Sequence, residues 1–84
     1  MLSLGLLCPA GYNYGNYLYV ANTPVLPKEE TVVQATVIYG LGVFPTVAKV
    51  MPGGKIYLFT TYAINQAAGG NNCDTSFELV YATT

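Results

Sequence analysis

Between residues 31 and 64, apolar and polar positions alternate with the two-residue period of a β-strand, broken by short runs rich in glycine. In the first run Thr31, Val33, Ala35, Val37 and Tyr39 share one face; Val32, Gln34, Thr36 and Ile38 form a more polar second face. Gly40-Leu41-Gly42 supplies a short turn. Val43 to Val50 is the next predicted strand, and it contains Pro45. Proline has no N–H to give to a ladder, so this strand is expected at an edge or bulged at that point. Met51-Pro52-Gly53-Gly54 then turns the chain into residues 55–64, the run richest in β-branched and aromatic side chains. Its faces are Ile56, Leu58, Thr60, Tyr62 and Ile64 on one side and Tyr57, Phe59, Thr61 and Ala63 on the other. Both are largely apolar. An interior strand is expected, covered on one side by its own domain and on the other by something else. Residues 31–64 together predict a three-strand antiparallel meander.

Elsewhere the pattern is weaker. Residues 16–21 read as a strand with Tyr17, Tyr19 and Ala21 opposite Leu18 and Val20, ended by Asn22-Thr23-Pro24. Residues 65–72 read as a polar, glycine-rich loop, and residues 75–82 as a last strand with Phe77, Leu79 and Tyr81 opposite Glu78, Val80 and Ala82. No segment shows a helical period or a repeat. Residues 1–84 are expected to form a single β domain, with 1–15 an N-terminal arm or edge segment and 16–84 the β core. The fold class expected is all-β: a small antiparallel β-sandwich or partly open barrel of about five strands, with an extended N-terminal arm.

Charge changes the picture. Charged residues are 8% of the chain and hydrophobic ones 52%, with a formal net charge of −1; ordinary soluble domains are roughly 25% charged. A free monomer of this composition lacks the charge that keeps small domains dispersed, so neighbouring subunits are expected to cover much of the surface. No membrane span is expected, because no run approaches the ~20 apolar residues a spanning helix needs. Met1 to Cys8 resembles the apolar part of a signal peptide but has no basic start, and Leu7 is too bulky before Cys8 for a lipid-attachment site.

Candidate chemistry is sparse. The chain has no histidine or arginine, and its acids are Glu29, Glu30, Asp74 and Glu78. Adjacent Glu29 and Glu30 point apart in an extended chain, and Asp74 and Glu78 are read as surface carboxylates. No enzyme activity, metal or cofactor is therefore expected. Gly53-Gly54-Lys55 is a hairpin turn, without the spacing of a phosphate loop. Lys28, Lys49 and Lys55 are the only cations and do not cluster in sequence, so nucleic acid is not an expected partner. Cys8 and Cys73 are read as buried, reduced thiols, with a disulfide between them the alternative.

Four tyrosines, Tyr12, Tyr14, Tyr17 and Tyr19, fall within eight residues. Tyrosine gives large contact area at small entropic cost, so these four, with Leu4 and Leu6 of the N-terminal segment, are the expected interface residues. The function expected is a non-enzymatic structural assembly subunit. The form favoured is a bacteriophage minor capsid (cement or decoration) protein located in the virion, with copies of itself and a larger capsid or filament protein as partners. The alternatives are an extracellular filament subunit, or a carbohydrate- or cell-surface-binding module using the Tyr12–Tyr19 segment.

Overall fold

The computed structural model describes residues 2–8 and 14–82, the side chains of Leu2 and Leu7 excepted. Its strands are β1 (Leu2–Leu7), β2 (Asn16–Asn22), β3 (Thr31–Tyr39), β4 (Gly42–Val50), β5 (Lys55–Thr60) and β6 (Asn72–Phe77), with one short helix, α1 (Tyr62–Ala68), between β5 and β6. The six strands form one sheet in the order β1-β6-β3-β4-β5-β2, antiparallel throughout, curled into a half-barrel. The fold is thus the partly open barrel rather than the sandwich. Its sixth strand is β1, which is an edge strand rather than a free arm and pairs with β6 from Leu2↔Phe77 to Leu7↔Asn72.

The two-residue period sets what lies inside. Val33, Ala35 and Val37 of β3, Ala48 and Val50 of β4, Ile56 and Leu58 of β5, and Cys73 and Phe77 of β6 are buried on the concave face. The turns that align these strands depend on glycine at two points. Gly40 opens the two-residue β3–β4 turn with φ +58, as a type II′ turn requires. Gly54 has φ +94, and a Cβ there would lie 2.6 Å from the carbonyl oxygen of Thr23, whose N–H donates to the Gly54 carbonyl at 2.8 Å. The chain leaving β2 is thereby held against the β4–β5 hairpin.

The meander is found as β3, β4 and β5, and β5 is an interior strand with β4 on one side and β2 on the other. Three expectations are corrected. The strand expected to reach Ile64 stops at Thr60, and residues expected as a loop are helical through Ala68. Thr61 caps the helix, its hydroxyl accepting the Ile64 N–H at 3.2 Å. Ile64 and Ala68, four residues apart, then fall on one helix face and are fully buried in the concavity. Seven residues are too few for a helix to be stable alone, so this burial and the Thr61 cap hold it.

The last strand spans Asn72–Phe77 rather than 75–82: its pairings with β1 and β3 run only as far as Leu2↔Phe77 and Ala35↔Phe77, although β3 itself continues to Thr31. One further backbone bond follows, from the Glu78 N–H to the Gln34 carbonyl at 2.9 Å. Beyond it Tyr81 donates its hydroxyl to the Val25 carbonyl at 2.6 Å, and the Lys28 N–H donates to the Ala82 carbonyl at 3.0 Å. Finally, β4 is interior by strand order, yet it pairs with β5 only from Ala48 to Val50. Pro45 lies past the end of that ladder, where its missing N–H leaves no gap. In place of a further backbone bond, the Thr46 hydroxyl donates to the Phe59 carbonyl at 2.6 Å.

Candidate interaction surface

The same alternation that fills the concave face turns a second set of side chains outward. Opposite residues in a register share a face, so Tyr17↔Phe59, Tyr19↔Tyr57 and Lys49↔Tyr57 stand together on the outside of β2, β5 and β4. The Tyr17 and Phe59 rings are 5.1 Å apart and tilted, and Tyr19 and Tyr57 meet edge to face at 5.9 Å. Lys49 Nζ lies over the Tyr17 ring at 4.4 Å, and Lys55 Nζ over the Tyr19 ring at 5.9 Å. No acidic residue occurs in β2, β4 or β5. The result is an aromatic platform carrying two positive charges. On the same outer face exposed Val32 of β3 stands opposite Lys49. Ile38 of β3 and Val43 of β4 are exposed together at the turn end of that hairpin, with Gln34 and Thr36 lying between Val32 and Ile38 on β3.

The expected interface residues separate. Tyr17 and Tyr19 lie on this platform. Tyr14 stands beside it, its ring 5.0 Å from that of Tyr62 at the start of α1. Tyr12 lies outside the described residues. Leu6 belongs to the chain's own core, and Leu4 packs against that core. What β1 leaves open is its outer backbone edge, a run with no charge and no proline. The two lysines were missed because they are six residues apart and separated by a turn. The two-residue period puts Lys55 on the face of Tyr57 and Phe59 within β5, whereas Lys49 joins them only through the register Lys49↔Tyr57 across the turn.

Cys8 and Cys73 are free thiols, buried side by side with their sulfurs 3.2 Å apart. Burial pushes the Cys8 thiol up from 9.0 to about 12, and its hydrogen bond with Cys73 adds to the shift. A shallow cleft of about 260 Å³ lies behind them, lined by Gly5, Ile38, Tyr39, Gly40, Asn72, Cys73 and Asp74. Asp74 is the one carboxylate in its lining. Among the described residues no group of three or more His, Cys, Asp or Glu could hold a metal ion, and no helix is long and apolar enough to cross a membrane.

The chain matches no family model, no curated protein and no solved structure at a significant level.

Proposed function

We propose that this protein is a non-enzymatic structural subunit whose outer sheet face is covered by copies of itself and by a larger capsid or filament protein. The observation that carries this reading is the exterior of β2, β5, β4 and β3, where Tyr19, Val32 and Val43 are 53%, 55% and 63% exposed beside the half-buried rings of Tyr17, Tyr57 and Phe59. An accessible surface of 4805 Å² on a 9.0 kDa chain is close to the ~4,850 Å² usual for a compact monomer of that mass. The fold therefore needs no neighbour to become compact. It is the chemistry of the surface, apolar and nearly uncharged, that calls for a cover. The particular form we propose is a minor capsid protein that cements or decorates a bacteriophage head; a short, charge-poor all-β chain suits that role, and an extracellular filament subunit is its alternative. A carbohydrate- or cell-surface-binding module is the second reading, favoured by the exposed rings of Tyr14 and Tyr19.

The mass of the native species in solution tests the proposal. A defined multiple of 9.0 kDa is expected, falling to the single chain when Phe59→Asp places a carboxylate on the platform. A wild-type chain that stays single at high concentration and binds a glycan through Tyr19 overturns it in favour of the second reading.

A further inference from the structure

We infer that Cys8 and Cys73 form a built oxidation site: a low-molecular-weight disulfide such as oxidised glutathione closes them into an intramolecular bond that ties edge strand β1 to β6. The inference is independent of the assembly reading and rests on the backbone as much as on the sulfurs. Leu6 is the register partner of Cys73, so Cys8, two residues on, points to the same concave side as Cys73's diagonal neighbour. The ladder continues around it, since the Cys8 N–H donates to the Asn71 carbonyl at 3.0 Å and the Gly70 N–H to the Cys8 carbonyl at 2.8 Å. Main-chain bonds thus fix the approach before any sulfur bond exists. The sulfurs stand 3.2 Å apart, and a disulfide of ~2.05 Å requires a further approach of about 1.2 Å. β1 can supply it, having a sheet neighbour, β6, on one side only among the described residues. No third ligand accompanies the pair among the described residues, which separates it from a metal site.

The chemistry balances as two successive thiol–disulfide exchanges. One cysteine thiolate attacks oxidised glutathione and expels one glutathione thiolate, leaving a mixed disulfide on the protein. The second cysteine attacks the protein sulfur of that mixed disulfide and expels the other glutathione thiolate. The two thiol protons end on the two glutathiones, the protein loses two electrons, and the reagent gains them. Both thiols are almost fully buried, with 2% and 4% of their surface exposed, so the reagent reaches them only when β1 opens. Exchange is therefore slow in the folded protein. The bond, once made, closes a loop between residues 65 apart, which in the chain-entropy account shifts the folding equilibrium by a factor on the order of 10³.

The test places the full chain in glutathione buffers of graded redox ratio, folded and in concentrated urea, and reads intact mass, titratable thiols and the urea midpoint. The expected product is a single chain lighter by two hydrogens, with no titratable thiol and a Cys8–Cys73 linked peptide. Its formation constant should be on the order of 10³-fold larger in the folded protein than in urea, with a raised urea midpoint. Cys8→Ala and Cys73→Ala should each remove the redox dependence of the midpoint. Equal formation constants in the folded and unfolded chain overturn the inference. So do a lowered midpoint on oxidation, or products that are only glutathione adducts and cross-linked chains.

Discussion

Two kinds of buried side chain carry consequences at the level of single residues. Thr60 and Thr75 point into the concave core, fully buried, with no hydrogen-bond partner for their hydroxyls among the described residues. An unpaired buried hydroxyl costs roughly 1–3 kcal/mol, and valine has nearly the same shape without it. Thr75→Val and Thr60→Val should therefore keep stability or raise it by about 1 kcal/mol in urea denaturation; a loss of that size from either would mean the hydroxyl is satisfied. The reduced Cys8 thiol makes a pH-dependent contribution. Its folded value lies near 12 against 9.0 for the free group, so the unfolded chain ionises first. The stabilisation is complete below about pH 9 and is lost as pH rises toward 12, with a slope of at most ~1.4 kcal/mol per unit. In the reduced protein, the difference in urea stability between wild type and Cys8→Ala should shrink across that window and hold steady below it.

Among the elements, α1 depends most on its context. It is seven residues long with no acidic residue in its first turn and no basic residue in its last. Two things hold it: the Thr61 cap on Ile64 at 3.2 Å and the burial of Ile64 and Ala68. Thr61→Ala should cost about 1 kcal/mol, and Thr61→Ser should recover most of it. Thermal melts of the two variants decide whether the cap or the burial dominates. At the ends of the sheet the two edge strands differ in kind. β2 carries an irregularity between Tyr19 and Ala21, and a bulge of this sort discourages pairing with a further strand. β1 keeps an unbroken register and is without charge, so it is the more open of the two.

For the molecule as a whole, the half-barrel gives β5 two unlike faces. Leu58 points inward and is 1% exposed, whereas Phe59, its neighbour in sequence, is half-buried on the outer platform beside Tyr17. An aspartate at each position therefore tests different things. Leu58→Asp buries a lone carboxylate and should abolish the folded state, read as loss of the far-ultraviolet β signal. Phe59→Asp should leave that signal intact while lowering the native mass. If Phe59→Asp also unfolds the chain, the outer face is part of the core and no assembly surface is defined there.

Much of this was legible in the amino-acid order. The alternation in residues 31–50 specifies β3, β4 and their faces, because burying every second side chain is a local requirement written with a period of two. The outward pairing of Tyr17 and Tyr19 on β2, and the second apolar face of β5, follow from the same rule. The helix was not legible as a period, since seven residues give barely two turns and Ile64 suits a strand equally well. Nor were the limits of β6, the placing of Lys49 and Lys55 over Tyr17 and Tyr19, or the meeting of Cys8 with Cys73. Each of these depends on which distant segment lies alongside and in what register. A chain can encode locally which side chains must leave water; which neighbour receives them is decided only when the sheet closes.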